Sequence, residues 1–317
     1  MNFYEFKQHI IDSIKANEAL MEIDVNALMI AQTDEALLLA LIAQFPVLFS
    51  TGVLSAEDIT SYFAKELLDT YYIFTEGTNS LYGKKTGIAI GNAIVHAYND
   101  STIYGFQHTE IHAHTLSIAY CYGDSKGYCY DNATMNGFEN AKITSFCNST
   151  VNLSGFASCT CHDDTIVTAC QNSSIDGHER CVIYGNDNTS TVATDCCKVY
   201  LTKSAKACVY GRCDAEARDS STLNLFEESS GNLYGRAIGA CYGESKCSAT
   251  DQSYLFSEGN TTIKGYGSAF ICCKCAKYAQ VSDMSYMIDF SDTHCNVNHY
   301  ALIRWANSKQ LFKKQTD

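Results

Sequence analysis

Hydrophobic and small residues recur along this chain with a period of eight, from Thr78 to Ala301, through 28 octads without an insertion or deletion. Thr102-Ile-Tyr-Gly-Phe-Gln-His-Thr109 is a typical octad. Position two is mostly aliphatic, whereas positions four and eight are mostly Ala, Gly, Ser or Cys. These three positions share one parity, so their side chains point to the same face of a short strand. The pattern predicts one strand per octad.

The interior face of these strands is almost free of charge. Only Lys85, Lys277 and Asp289 are charged at positions two, four and eight. Eight residues are too few for a crossover helix, so successive strands must wind in one direction rather than form hairpins. We therefore predict a mainly β fold, a parallel β-helix (β-solenoid) over residues 70–301. Two octads per coil are favoured, and three octads per coil remain the alternative.

Both ends of the chain have a different pattern. Residues 1–69 carry apolar residues at helical spacing, and Thr33 and Ser55 each begin an N-cap pattern. We expect three or four short helices that form a cap or interaction domain, because the first coil of a solenoid otherwise has an open strand edge. Residues 302–317 contain the only tryptophan, Trp305, and are expected to form a C-terminal capping segment.

Composition narrows the classes of function. A net charge of −13 argues against binding to a phosphate backbone. No apolar run approaches the ~18 residues of a membrane span, and the first residues lack a basic segment that leads into an apolar one. Eleven of the 17 cysteines fall at interior positions, where they act as small core residues in a reducing compartment. We expect a cytoplasmic protein without a cofactor.

Aromatic residues concentrate at position five of the octad. In a 16-residue coil they form one ladder on one side, Tyr82, Tyr98, His114, Tyr130, Phe146, His162 and His178, whereas the uninterrupted aromatic run on the opposite side ends at Phe138. Clustered tyrosines are frequent anchors of protein interfaces. We predict a partner-binding surface formed by positions three and five of the early octads, His96, Tyr98, His112, His114, Tyr128 and Tyr130. A ladder that only stiffens the coils remains the alternative.

Metal binding and catalysis have weaker support. His96 and His112 lie one coil apart beside His114, a cluster that could bind a metal or respond to pH. The segments Cys159-Thr-Cys161-His162 and Cys272-Cys273-Lys-Cys275 lack the paired spacing of a structural zinc site. The octads also leave no long loops from which a cleft could be built. We therefore predict neither a metal ligand nor a catalytic residue.

The helical segment followed by octads such as Asp131-Asn-Ala-Thr-Met-Asn-Gly-Phe138 resembles a loose group of repeat proteins in gut bacteria and their phages. Those proteins carry degenerate Asn-Ala-Thr-Val-x-Ala-Tyr units after a short N-terminal helical domain. The resemblance covers nearly the whole chain, but its motif is structural and implies no catalytic residue. It implies a phage or mobile-element setting, and with it the cytoplasm of a host cell.

These observations together favour a non-enzymatic interaction protein. We expect a rigid acidic rod that binds a protein partner, such as a phage- or mobile-element-encoded inhibitor or recruiter of a host protein. Nucleic acid and membrane are not expected partners, and homo-oligomerisation through the helical domain remains open. Two alternatives also remain: a virion or surface component with a structural or adhesive role, and an enzyme with a site between the helical domain and the first coils.

Overall fold

The fold is known from a computed structural model, which describes residues 2–17, 20, 23, 25–291, 295–297 and 301–305. The chain divides into two compact units, Met1–Ile143 and Thr144–Asp317. The first unit contains the described helices and the first coils, and the described residues of the second unit form only coils.

The described part of the N-terminal segment forms six helices, α1 (Phe3–Ala16), α2 (Val25–Ile30), α3 (Asp34–Ile42), α4 (Phe45–Ser50), α5 (Ala56–Tyr62) and α6 (Lys65–Thr70). The expected number of three or four is wrong because the helices are interrupted more often than the apolar spacing suggests. Pro46 lies in the first turn of α4, where its missing N–H costs no hydrogen bond. The predicted N-caps are confirmed: Thr33 caps α3, and Ser55 forms a capping box with Asp58.

Thirty short strands follow the helices in the described residues. They are β1 (Ile73–Phe74), β2 (Thr78–Tyr82), β3 (Thr86–Ala89), β4 (Ile94–Tyr98), β5 (Thr102–Gly105), β6 (Glu110–Ala113), β7 (Ile118–Cys121), β8 (Lys126–Cys129), β9 (Thr134–Gly137), β10 (Lys142–Ser145), β11 (Thr150–Leu153), β12 (Ser158–Cys161), β13 (Ile166–Ala169), β14 (Ser174–Gly177), β15 (Val182–Gly185), β16 (Ser190–Ala193), β17 (Lys198–Leu201), β18 (Lys206–Val209), β19 (Asp214–Ala217), β20 (Thr222–Leu225), β21 (Ser230–Leu233), β22 (Ile238–Gly243), β23 (Lys246–Ala249), β24 (Tyr254–Gly259), β25 (Thr262–Gly265), β26 (Phe270–Cys273), β27 (Tyr278–Val281), β28 (Tyr286–Asp289), β29 (Cys295–Val297) and β30 (Leu302–Trp305).

The pairing of these strands confirms the predicted parallel β-solenoid. Odd-numbered strands follow one another in one sheet, and even-numbered strands follow one another in a second sheet. Partners within a sheet are sixteen residues apart, as in His96 with His112 and Thr222 with Ile238. Each coil therefore contains two octads. The first pair differs, because Ile73 of β1 is the partner of Ile88, fifteen residues later.

The predicted interior positions are buried. Val95, Ala97 and Ser101, at positions two, four and eight, are all fully inaccessible to solvent. Two of the charged residues at interior positions avoid an unpaired buried charge in different ways. The Lys85 side chain is exposed, and its Nζ lies 4.7 Å from the centre of the Tyr72 ring. Asp289 is buried, and its carboxylate accepts a hydrogen bond from the Ser291 N–H. All 16 cysteines from Cys121 to Cys275 are free thiols.

Position six of the octad forms the corner of the coil. Most of its residues have a positive φ, even where they are not glycine, as at Asp163 and Glu179. The position-six side chain of one coil accepts a hydrogen bond from the position-six backbone N–H of the preceding coil, as the Asp163 carboxylate does from Cys147. The same contact occurs for Glu139, Gln171, Glu179, Asp187, Asp195, Asp219, Glu227, Asp251 and Asp283. Much of the acidic charge therefore satisfies corner backbone groups.

At the C-terminus, the structure changes the expected boundary of the capping segment. Leu302–Trp305 is strand β30, which pairs with β28 in the sixteen-residue register. The sheet therefore continues into the first four residues of the predicted 302–317 segment, because the alternating pattern of the octads continues past Ala301. Residues 306–317, the rest of that segment, lie outside the described residues.

Candidate partner-binding face

Seven rings stack in two adjacent columns on the outer face of β2, β4, β6 and β8. Tyr82, Tyr98, His114 and Tyr130 form the position-five column, which we call the open ladder, with neighbouring ring centres 4.9, 4.6 and 4.8 Å apart. The position-three column has spacings of 4.4 and 4.7 Å. It consists of His96, His112 and Tyr128. We call the seven rings together the early aromatic face.

The sixteen-residue register explains this stacking. Residues at positions three and five point away from the interior, and the next coil repeats each of them one strand spacing further along. Beneath the rings, Val95, Ala97, Ile111 and Ala113 fill the core. Each stacked pair stabilises the coils by about 0.5–1.5 kcal/mol beyond the burial of its area. The structure therefore brings all six predicted site residues into one continuous surface, and it adds Tyr82.

Hydrogen bonds link the histidines to one another and to a carboxylate. His96 Nδ1 lies 3.5 Å from His114 Nε2, and His112 Nε2 donates to the Glu110 carboxylate at 2.9 Å. Burial, and then the neighbouring imidazoles, lower the pKa of His96 and of His114. Burial also raises the pKa of Tyr130. The lowered pKa favours the uncharged form of His96 and of His114. The face thus consists of rings with polar edges, the amphipathic composition typical of interface anchors.

The histidine cluster does not have the geometry of a metal centre. The three imidazoles are nearly parallel, with interplanar angles of 10 to 15°. Their ring nitrogens are therefore not directed at a common point, as a tetrahedral site requires. Within the described residues, no group of three His, Cys, Asp or Glu side chains could hold a metal ion.

The opposite side of the same coils carries a second ladder, Phe106, Tyr122 and Phe138, with ring centres 5.1 and 4.6 Å apart. We call it the covered ladder, because Phe45 and Phe49 of α4 pack on Phe106, which is only 1% exposed. Tyr122 stacks on Phe106, and burial raises the pKa of Tyr122 to about 12. The octad pattern does not predict that helices pack on the covered ladder. The aromatic residues Phe45 and Phe49 are the sequence signal for this packing.

The helical core and the early aromatic face are separate. The core of the first unit joins helix residues such as Ile10, Leu38 and Phe45 to Ile88, Ile90 and Phe106 of the coils, and it contains none of the seven rings. Tyr82, the outermost ring, is 57% exposed. The sixteen-residue register brings the predicted rings together, and the helices dock on the opposite side, at Phe106.

A groove lies between the helices and the first coil, where the enzyme alternative would place its site. It has a volume of about 480 Å³ and is bounded by α5, α6, the β1–β2 connection and the start of β2. Four charged side chains line it, Glu57, Lys65, Asp69 and Glu76.

The second unit has shorter aromatic stacks. Phe146, His162 and His178 stack in order, with ring centres 5.2 and 5.1 Å apart. Tyr184 and Tyr200 form a separate pair on the other sheet at 5.1 Å. These stacks are single columns, and two further columns, Tyr210–Phe226–Tyr242 and Tyr254–Phe270–Tyr286, are also single. Among the described stacks, adjacent stacked columns at positions three and five occur only in the early coils, where Tyr104 also stacks on Tyr120 in the same octads as Phe106 and Tyr122.

Comparison of the chain with models of protein families, with curated proteins and with solved structures finds no match. Among the described helices, none is long and apolar enough to cross a membrane.

Proposed function

We propose that this chain is a non-enzymatic interaction protein that binds a protein partner through the early aromatic face. The observation that carries the proposal is the double column of stacked rings that the helices leave uncovered. A single column is sufficient to stabilise neighbouring strands, as the stacks of the second unit illustrate. The additional position-three column, His96, His112 and Tyr128, gives the surface the width that an interface core needs.

The chemistry of the face favours a protein partner. Rigid rings with hydroxyl or imidazole edges bury large areas at a low cost in conformational entropy, as in other aromatic interfaces. The net charge of −13 opposes approach to nucleic acid. We further propose, from the resemblance to phage-associated repeat proteins, that the partner is a host protein in the cytoplasm, which the chain blocks or recruits.

Affinity capture from a host lysate tests the proposal. The wild type is compared with the double variant Tyr98→Ala, Tyr130→Ala, and truncation of central tyrosine anchors should weaken capture by about 2 kcal/mol or more. The matched control is Tyr184→Ala, Tyr200→Ala, which removes a stacked pair from the second unit. Lost capture for the first pair and retained capture for the control, with all three proteins folded, is the expected result. Equal capture by both double variants would contradict the proposal.

A further inference from the structure

We propose that the outer edge of β2 binds an extended, basic segment of a partner protein, which adds a strand to the sheet. This interaction surface adjoins the early aromatic face at Tyr82, but strand addition does not require that the face binds a partner. Strand addition uses main-chain hydrogen bonds for affinity and side-chain contacts for specificity. Three features of the first unit support it: an unpaired strand edge, an acidic groove beside that edge, and a bare aromatic ring at its end.

The backbone of β2 is paired on one edge only. β2 is the first strand of the even-numbered sheet, and among the described residues its single strand partner is β4. In later coils, the N–H groups of positions one and five donate to the preceding coil, as Ile94 does to the Gly77 carbonyl and His114 does to the Ala97 carbonyl. Position three has the same parity as positions one and five, so its N–H group points to the same edge of the strand.

By that alternation, β2 directs a row of backbone N–H groups away from β4, those of Thr78, Ser80 and Tyr82. All three residues are exposed. The helices protect the other sheet instead, since Leu68 of α6 and Ile73 of β1 are both buried in the helical core. An exposed strand edge of five residues is a template for pairing with another chain. The expected capping of the first coil by the helices is thus incomplete at β2.

The groove beside this edge selects the charge of the incoming segment. Three of its charged side chains are carboxylates, Glu57, Asp69 and Glu76, and one is a lysine, Lys65. Asn79 of β2 also lines the groove, so a segment paired with β2 passes beside these carboxylates. A lysine or arginine side chain is therefore the complementary group.

The ring of Tyr82 defines a second contact. One face of this ring stacks on Tyr98 at 4.9 Å, and its 57% exposure leaves the other face bare. An added strand lies about 4.8 Å from β2 and repeats the ladder spacing. A planar side chain in register, an aromatic ring or an arginine guanidinium, would extend the open ladder by one step.

The space beside β2 favours a single strand over a second copy of this chain. Helices α5 and α6 border the groove, whose volume is about 480 Å³. An extended segment needs a width of about 4.8 Å, whereas a second copy would bring two more helices of about 10 Å diameter to the same place.

A labelled synthetic peptide, Lys-Thr-Lys-Val-Thr-Val-Tyr-Val-Lys, is the probe, and fluorescence anisotropy reports its binding to the full chain. Ser80→Pro removes the central N–H of the outer edge without removing a bond to β4, and Ser80→Ala is its matched control because it keeps the N–H. The double variant Glu57→Gln, Asp69→Asn removes two negative charges from the groove. Its control is Glu66→Gln, which removes an exposed negative charge of α6 that does not line the groove. A glutamate-for-lysine peptide and a backbone N-methylated peptide complete the set.

We expect the wild type, Ser80→Ala and Glu66→Gln to bind the basic peptide equally. Ser80→Pro and the N-methylated peptide should bind about tenfold or more weakly, a loss of about 1.4 kcal/mol. The groove variant and the glutamate peptide should also bind more weakly. Unimpaired binding by folded Ser80→Pro, equal binding of basic and acidic peptides, or no binding at millimolar peptide would overturn the proposal.

Two further measurements complete the test. If Ser80→Pro fails to fold, amide hydrogen exchange of the wild type replaces it: the peptide should slow exchange at Ser80 and Tyr82, and unchanged exchange would overturn the proposal. Sedimentation addresses the second copy, because a wild-type dimer that Ser80→Pro abolishes would show that the edge binds this chain itself. Failure of lysate capture by the Tyr98, Tyr130 variant does not affect any of these results, so the two proposals can fail separately.

Discussion

The two ladders of the early coils have similar chemistry and different surroundings. The covered ladder, Phe106, Tyr122 and Phe138, begins under Phe45 and Phe49 of α4, and Phe106 is buried. The open ladder begins with the exposed ring of Tyr82. Both ladders stand beside a position-three column, but Tyr104 of the column beside the covered ladder packs against the helical core, whereas His96, His112 and Tyr128 do not. The packing of α4 on Phe106 thus shows that an aromatic ladder of this solenoid can serve as a docking surface for a helix.

The composition of the ladders agrees with this difference. The Phe106 side chain, at the centre of the helix contact, has no polar atom, and the two helix rings packed on it, Phe45 and Phe49, are also phenylalanines. All seven rings of the early aromatic face are Tyr or His, which retain a hydrogen-bonding edge. Permanently buried rings favour Phe, whereas surfaces that are wet in one state and buried in another favour rings with a polar edge.

The largest expected effect of mutation distinguishes the two ladders by stability. Phe106→Ala leaves a cavity between α4 and the coils and should lower the free energy of unfolding by about 3–5 kcal/mol. Tyr98→Ala removes two stacked pairs and a partly buried ring, and should cost about 2 kcal/mol. Denaturant unfolding of both variants measures the difference. Equal losses would mean that the open ladder has the same structural role as the covered one.

The solenoid itself was predictable because its determinants are local and repeated. The parity of positions two, four and eight fixes the inward face, and the unbroken octad fixes the sixteen-residue register once two octads complete a coil. The clustering of His96, Tyr98 and His112 follows directly from that register.

What the sequence did not reveal depends on contacts between distant segments. Docking of Phe49 on Phe106 joins residues 57 positions apart, and no period relates them. The role of position six was missed for a different reason: Asp and Asn are ordinary turn residues, so nothing in the pattern shows that the Asp163 carboxylate accepts from the N–H of Cys147 in the preceding coil. The open edge of β2 required knowledge of where the helices pack.

A smaller expected effect is the pH dependence of stability that arises from the histidines of the early aromatic face. The pKa of His96 and of His114 lies below the ordinary 6.5 in the folded state, although Glu110 opposes the shift at His96 and Asp131 opposes it at His114. As pH falls through 6.5, the unfolded chain therefore takes up protons first, and stability is lost on acidification. Solvent screening keeps the loss below about 1 kcal/mol.

The measurement is the unfolding midpoint between about pH 7.5 and about pH 5. His96→Phe, His114→Phe keeps the stacked rings and removes the titrating groups, so its stability should fall less over this range than that of the wild type. The covered ladder has no histidine, and Tyr122→Phe should leave the pH dependence unchanged. A wild-type dependence equal to that of the histidine variant would show that these imidazoles are not destabilised by protonation.

Hydroxyl-radical footprinting of the free protein and of the captured complex tests the central claim most directly. Partner binding should protect Tyr82, Tyr98 and Tyr130, leave Tyr184 and Tyr200 unchanged, and find Phe106 already protected in the free protein. Unchanged labelling of the open ladder in the complex, or protection confined to the second unit, would contradict the account.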